Sequence, residues 1–471
     1  MSAVPHGRTQ AHGPSLLLPL SLWRRPRSRL TAGLLRGLLG GALCALVGCR
    51  EKATPITPPA MSGALAQVAG NLPIDGEIAA QQAALRGPAA GDADAWAALA
   101  RTFVRKARQA SDPRYYGQAQ DAAERALRLT PGHAGATQVR LVVLQNQHRF
   151  AEAQTLATTR VAQAPRDAIA WGALGDSALE LGDYDAAMAA YQAMIDIKPD
   201  LRSYSRGAWM RFLTGDSDGA VDLMRQAIDA GTPREPESRA YCRVQLADLH
   251  FARGEYDAAA AVLDLALRDL PGYAAAHAAR GRLRLHAGDG PAATADALAD
   301  LAAALRIQPL ITTRILYVQA LEQAGRRADA DAELATLLRE GPREDPRALS
   351  LFLSSRRQQV DLAQRLAQEE WARRPDIWSA DALAWALFRG GQVDAAWQAA
   401  QRASRLGTRD PAILFHVGAI ALGRGDLDRA RAALQSALTT SPRWHRADAA
   451  EARQLLAKLS GAHSPATGSV K

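Results

Sequence analysis

Proline, glycine and alanine recur along most of this chain at one fixed interval. Pro131, Pro165 and Pro199 are separated by 34 residues each, and the series continues, with small slips or at twice the interval, at Pro271, Pro309, Pro342, Pro375 and Pro442. Glycines keep the same interval, at Gly182, Gly215, Gly254, Gly288, Gly325, Gly391 and Gly425. Five residues after each glycine stands an alanine: Ala187, Ala220, Ala259, Ala293, Ala330, Ala396 and Ala430. A period of this length indicates a chain built from stacked helical repeats.

Each of these residue types has a physical role in a pair of helices. A glycine just past a helix adopts the left-handed conformation that ends it. The acid that often follows, as at Asp183, stabilises the N-terminus of the second helix. The alanine suits a close crossing of two helices, and the proline stops the second helix. Alanine-rich runs such as residues 185–193 also have a high helix propensity. The sequence therefore predicts an all-α protein.

One unit, between Trp171 and Pro199, is nearly complete and resembles the tetratricopeptide repeat. The residues that carry the resemblance are Trp171, Leu174, Gly175, Gly182, Tyr184, Ala187, Tyr191 and Pro199. The resemblance covers residues 93–442 and implies a right-handed α-α superhelical solenoid of about ten helix pairs. We expect the pairs to begin near Ala93, Ala134, Ala168, Leu201, Ala240, Ala274, Ile311, Pro346, Ile377 and Pro411.

The segments that flank the repeats are predicted to close the two ends of the solenoid. Residues 60–92 indicate an N-terminal helical cap, broken at Pro73. Residues 443–459 indicate a capping helix over the exposed core of the last unit, and residues 460–471 a disordered tail. Within the solenoid we expect an extended linker at Gly231–Arg239. The eighth unit is irregular because it lacks the mid-repeat glycine.

The N-terminal segment, residues 1–48, resembles a bacterial lipoprotein signal peptide. A basic region is followed by an apolar stretch from Gly37 to Val47, which is too short to remain as a membrane span. The stretch ends in Leu46-Val47-Gly48-Cys49. The resemblance implies cleavage before Cys49 and acylation of its thiol. The alternatives are an ordinary secretory signal or a short anchor that contains cysteines.

Residues 49–59 are predicted to form the lipidated cysteine and a proline-bearing tether to the membrane. Aspartate after the lipidated cysteine commonly retains lipoproteins in the inner membrane, and here that residue is Arg50. The resemblance therefore implies a lipid-anchored protein of the bacterial envelope that faces the periplasm, at the outer rather than the inner membrane.

The net charge gives no support for nucleic-acid binding. The formal charge is +9, but six arginines and no acid precede Cys49, so the remaining charge, +9 less these six, is +3. A nearly balanced chain lacks the basic surface that nucleic acids require. Of the three cysteines only Cys242 would remain unmodified after processing. It is predicted to be a small buried apolar residue.

Motifs of enzyme active sites are absent from the sequence. There is no nucleophile elbow, phosphate-binding glycine loop, zinc-binding helix motif or pair of cysteines at metal-ligand spacing. The histidines are scattered: His277 and His286 fall on opposite faces of one helix, while His250 and His416 belong to different units. We therefore expect no catalytic activity, no cofactor and no metal.

The first helix of each unit lines the concave surface of such a solenoid, and several carry aromatic residues beside charged ones. By repeat position we expect the groove to contain Arg206, Trp209, Tyr241, Asp248, Trp378, Asp381 and Trp385. Tryptophan, tyrosine and arginine are favoured anchors in protein interfaces. The alternative is that these rings fill space between adjacent helices, beside small residues such as Gly207 and Ala384.

Three functions fit this architecture to different degrees. The first is a membrane-anchored periplasmic scaffold that binds a protein or extended peptide in its concave groove. The second is an accessory lipoprotein in secretion or polysaccharide export. The third, an enzyme, is the least supported, because no catalytic motif accompanies the repeats.

Overall fold

A computed structural model describes residues 62–68, 70, 72–110, 112–232 and 236–461. Within these ranges the protein is entirely helical and contains no strand. The signal peptide, Cys49, the tether and residues 462–471 lie outside the described residues. None of the helices that are described is long and apolar enough to cross a membrane.

Two helices and a short turn precede the repeats, as the sequence predicts for an N-terminal cap. They are α1 (Ser62–Leu65), α2 (Pro73–Leu85) and a 3-10 turn at Pro88–Gly91. The Gln82 side chain, which is buried, donates hydrogen bonds to the carbonyls of Ala64 and Ala66 at 2.9 and 2.8 Å. Ile78 is fully buried in the same cluster as Phe103 of the first unit. The cap thus covers the apolar face of the first repeat.

Ten helix pairs follow, each packed against the next. Units one to five are α3 (Ala93–Gln109) with α4 (Tyr115–Leu129), α5 (Ala134–Asn146) with α6 (Phe150–Gln163), α7 (Ala168–Glu180) with α8 (Tyr184–Ile197), α9 (Leu201–Leu213) with α10 (Ser217–Asp229) and α11 (Pro236–Ala252) with α12 (Tyr256–Asp269). Units six to ten are α13 (Ala274–Ala287) with α14 (Gly290–Ile307), α15 (Ile311–Gln323) with α16 (Arg327–Glu344), α17 (Pro346–Arg356) with α18 (Val360–Arg373), α19 (Ile377–Arg389) with α20 (Val393–Ala403) and α21 (Pro411–Gly423) with α22 (Leu427–Thr440). The C-terminal helix α23 (Arg446–Gly461) completes the solenoid.

The punctuating residues act as their chemistry predicts in most units. The Asp183 carboxylate caps α8 by accepting a hydrogen bond from the Ala186 amide at 3.1 Å. Gly182 has φ 73°, the left-handed conformation that favours glycine. The close-crossing alanines are buried, with the exception of Ala293, which is partly exposed. Nine of the ten predicted unit starts coincide with the first residue of a helix.

Five details of the predicted boundaries are wrong. The predicted linker is partly helical, because α11 begins at Pro236. In the sixth unit Gly290, with φ 79°, takes the left-handed conformation predicted for Gly288. Pro342 lies inside α16, which continues for two residues to Glu344. The last helix begins at Arg446 instead of 443, and it extends through Ser460 and Gly461, which were predicted to be disordered.

The eighth unit lacks the mid-repeat glycine and makes its inter-helix turn with residues that carry a side chain. α17 is followed by Arg357, whose φ is 54°, and α18 begins after Gln359, whose φ is 46°. Both lie in the left-handed region, which is unfavourable for residues with a side chain. The helix pair therefore forms in spite of a local conformational cost.

The solenoid also makes contacts between units that are distant in sequence. The Tyr184 hydroxyl of unit three accepts a hydrogen bond from the Ile377 amide of unit nine at 2.8 Å. The Ser441 hydroxyl donates to the Phe251 carbonyl of unit five at 2.9 Å. Arg446 of α23 donates to the Gly288 carbonyl at the end of α13, at 2.7 Å. The C-terminal units therefore lie against the inter-helix turns of units three, five and six.

Candidate functional site

The first helices of units one to five, together with Met194 of α8 and Tyr273 just before α13, surround a cavity of about 500 Å³ on the concave side. Such a volume falls in the range of ligand-binding pockets, about 300–1,000 Å³. Successive first helices build its wall: Gln138 and Gly172 are each the fifth residue of their helix, Arg206 is the sixth residue of α9, and all three line the cavity. One side of the first helix in units two, three and four thus faces the same space.

Gly172 lets two side chains of the cavity wall approach the first helix of unit three. A Cβ atom at this position would lie 2.9 Å from the Met194 sulfur and 3.5 Å from Nε of Arg206. The absence of a side chain at Gly172 therefore leaves room for Met194 and Arg206, which both line the cavity.

Arg206 is held in place by an acid of the neighbouring unit. Its Nε and Nη2 atoms donate to the two carboxylate oxygens of Asp176, both at 2.7 Å. The Tyr191 hydroxyl donates to the same carboxylate at 2.9 Å. Partial burial opposes the charge of Arg206, but the Asp176 carboxylate outweighs it and raises the arginine pKa above its usual value. Bidentate pairs of this kind fix both orientation and charge.

Two large apolar side chains are exposed to the cavity. Ile169 on α7 is 40% exposed and Tyr241 on α11 is 48% exposed. Leu310, which is 45% exposed, lines a second cavity of about 280 Å³ beside α11, α13 and α15. Three of the seven exposed large hydrophobic residues in the described ranges therefore line the concave cavities. An apolar surface gathered in a concave space indicates an interaction site.

Asp248 lies at the second cavity and is paired. Nη2 of Arg282 donates to its carboxylate at 2.6 Å, and the guanidinium of Arg282 stands over the Phe251 ring at 4.5 Å. Burial raises the pKa of Asp248, and Arg282 offsets part of that rise. The prediction that Asp248 lies in the groove agrees with its place in the lining, together with Gln245 and alanines of α13.

Two tryptophans predicted for the groove contact each other. The ring centroids of Trp209 and Trp378 are 6.2 Å apart in a stacked arrangement, and Trp209 also contacts Phe212 at 5.5 Å. These tryptophans belong to units four and nine, which are far apart in the sequence. Their rings join the first half of the solenoid to the second.

The prediction is wrong for Asp381 and Trp385, which do not line an open groove. Trp385 has no exposed surface and Asp381 is 4% exposed. The Asp381 carboxylate pairs with Nδ1 of His416 at 2.9 Å, and the Trp385 ring stacks on the same imidazole at 4.1 Å. Trp444, just before α23, contacts Phe415 beside them at 6.0 Å. The groove is therefore filled at units nine and ten, since the C-terminal segment packs there.

Other candidate chemistry is also structural in the part of the chain that is described. Cys242 is fully buried, as predicted, and burial raises the pKa of its thiol to about 12. A thiol held protonated in this way is a poor nucleophile. No group of three His, Cys, Asp or Glu side chains in the described ranges is arranged to hold a metal ion.

Sequence reasoning missed several residues that line the main cavity, namely Arg101, Arg108, Ile169 and Tyr273. The helix register contains a signal for one of them. Arg101 is the ninth residue of α3, and Trp209, which was predicted for the groove, is the ninth residue of α9. Extending this position from unit four back to unit one would have found Arg101.

Comparison with known repeats agrees with the geometry of the helix pairs. A profile of the tetratricopeptide repeat matches residues 142–201 and 382–443, and a second profile of this repeat matches residues 212–283. The chain contains tetratricopeptide repeats. Arrays of this repeat present extended concave surfaces suited to protein binding. No curated protein matches the sequence.

Several solved helical-repeat structures are similar in fold at low identity. Yeast Tom70 is 14% identical with a TM-score of 0.37, over 83% of this chain and 92% of Tom70. The human IFIT1 dimer with m7Gppp-AAAA is 13% identical with a TM-score of 0.46, over 77% of this chain and 85% of IFIT1. PilW, a widely conserved type IV pilus biogenesis factor, is 16% identical with a TM-score of 0.37, over 46% of this chain and 96% of PilW. The similarity concerns the fold alone.

Proposed function

We propose that this protein is a non-catalytic scaffold whose main concave cavity holds an extended segment of a partner protein. One observation carries the proposal: Ile169 and Tyr241 are exposed inside a cavity of about 500 Å³ that five units line together. Large apolar side chains in a concave space offer a partner side chain an anchoring position. Arg206, fixed by Asp176, offers a rigid donor beside them.

The cavity is separate from the packing that holds the solenoid together. Tyr241 is half-exposed, whereas the other large aromatic residues predicted for the groove are packed: Trp209 and Trp378 against each other, and Trp385 against His416. Truncation of Tyr241 therefore removes contact surface for a partner with little effect on the core. This difference makes the proposal testable without loss of the fold.

Peptides that bind the full chain can be selected from a random library displayed on phage. We expect Tyr241→Ala to weaken selected peptides about 30-fold, the effect of a central aromatic anchor of about 2 kcal/mol. The matched control is Leu427→Ala, since Leu427 is 40% exposed on α22, outside the cavity lining. Fluorescence anisotropy measures the affinities. Equal binding to Tyr241→Ala and to the unaltered protein would place the binding surface elsewhere.

We further propose that the scaffold is anchored through a lipid on Cys49 and faces the periplasm. The support is the sequence Leu46-Val47-Gly48-Cys49 after an apolar stretch. In a Gram-negative host we expect Cys49→Ala to leave the membrane fraction and to escape metabolic labelling with palmitate. Cys44→Ala is the control, because Cys44 precedes the proposed cleavage site. Normal processing and membrane fractionation of Cys49→Ala would contradict the anchor.

A further inference from the structure

The side chains that line the main cavity are strongly biased in charge. Of its lining residues four are arginines and one is an acid: Arg101, Arg108, Arg202, Arg206 and Glu237. The Asp176 carboxylate neutralises the charge of Arg206 and accepts two hydrogen bonds from it. On α3 of unit one, Arg101 and Arg108 are exposed and add positive charge to the cavity lining.

Cationic and apolar surfaces alternate within this one space. Arg101 and Arg108 lie on α3 of unit one, while the exposed Ile169 and Tyr241 lie on α7 and α11. Val104, Val139, Val142, Met194 and Leu201 also belong to the apolar part of the lining. A ligand that matches both features carries negative charge and an apolar group together. Complementary charge of this kind contributes mostly specificity and association rate, and apolar burial contributes affinity.

We propose that the segment held in the cavity is an acidic polypeptide, with carboxylates beside Arg101 and Arg108 and an apolar side chain on Ile169 and Tyr241. This inference rests on the proposed function and names the chemistry of the partner. An aliphatic anchor suits the valine-rich lining, whereas a single-stranded nucleic acid requires aromatic platforms along a continuous basic track.

The test compares three fluorescent probes on the full chain by anisotropy. The acid probe is a peptide of about nine residues, roughly 30 Å when extended, in which Asp and Glu flank a central Leu. The amide probe replaces every Asp by Asn and every Glu by Gln, and the third probe is an oligouridine RNA. We expect the acid probe to bind about tenfold or more tightly than the amide probe. We also expect that advantage to shrink at about 0.5 M salt, where screening is strong.

Two sets of variants connect the affinity to the cavity. We expect the double variant Arg101→Gln/Arg108→Gln to lose most of the preference for the acid probe. The matched control is Arg225→Gln, because Arg225 is exposed on α10 and does not line the cavity. Because all three arginines are on the surface, we expect each variant to keep the fold. Thermal melting of each variant checks this.

The outcomes separate this inference from the proposed function. Equal binding of the acid and amide probes, or no binding of either, overturns the acidic partner. In that case the library-selected peptides and their dependence on Tyr241 still decide the proposed function. Tighter binding of the RNA with the same dependence on Arg101 and Arg108 overturns both, because the cavity would then be a nucleic-acid site. A preference for the acid probe that the double variant removes supports the inference.

Discussion

Small residues set the distance between the two helices of a repeat. A Cβ atom at position 175 would lie 2.4 Å from the ring of Tyr191, closer than such atoms approach in proteins. Tyr191 is buried, and its hydroxyl donates to Asp176, the same carboxylate that orients Arg206. A single added methyl group in unit three would therefore disturb both the core and the cavity wall.

We predict that Gly175→Ala lowers the free energy of unfolding by about 1–3 kcal/mol through overpacking against Tyr191. Gly117→Ala is the matched control, since a Cβ atom there meets nothing within 4 Å and the residue is exposed in α4. This control should be neutral or gain about 0.5–1 kcal/mol, because alanine is the better helix former. Urea unfolding followed by circular dichroism measures both. Similar stability of the two variants would show that the Tyr191 ring moves to admit the added methyl group without a loss of stability.

The sequence predicted the candidate site only in part, for reasons that particular residues show. Arg206 and Tyr241 line the main cavity, because the repeat position decides which side of a first helix faces inward. Asp381 and Trp385 also lie on a first helix but are buried. Their surroundings are determined by the contact of units nine and ten with the C-terminal segment, and the repeat pattern contains no information on a contact between units so far apart.

At the scale of helices, prediction succeeded wherever the chain ends a helix with a special residue. Gly182 and Asp183 end one helix and start the next, so the bounds of unit three follow from their chemistry. In unit eight the same turn is made by Arg357 and Gln359 in left-handed conformations. Propensity argues against such a turn at these residues. The turn is explained by the packing of α17 against α18, which buries Leu349 and Leu366 in one cluster.

At the scale of the molecule, unit six contacts the C-terminal segment through two histidines, His286 of α13 and His445 just before α23. The rings of His286 and His445 lie 4.8 Å apart at an edge-to-face angle of 64°. His445 also pairs with Asp448 at 3.0 Å and contacts Gln319 of unit seven at 3.1 Å. His286 is buried, beside Arg282 of its own helix and Arg446 of α23. Burial, together with these cationic neighbours, lowers the pKa of His286 well below its usual value.

We predict from this arrangement that acid weakens the closed solenoid through His286. The unfolded chain takes up a proton at this residue near pH 6.5 and the folded chain does not, so stability falls as the pH drops below that value. Between pH 6.5 and 5.5 the free energy of unfolding should fall by about 1 kcal/mol more in the unaltered protein than in His286→Leu. Urea titrations at pH 5.5, 6.5 and 7.5 measure this difference.

The comparison with His286→Leu is needed because other groups titrate in the same range with the opposite sign. Burial raises the pKa of Asp410 to about 6. The folded chain therefore binds that proton first, and Asp410 adds stability as the pH falls through 6. This contribution is common to both proteins and cancels in their difference, which leaves the effect of His286. A difference that stays constant from pH 7.5 to 5.5 would mean that His286 accepts a proton without opening the contact between unit six and α23.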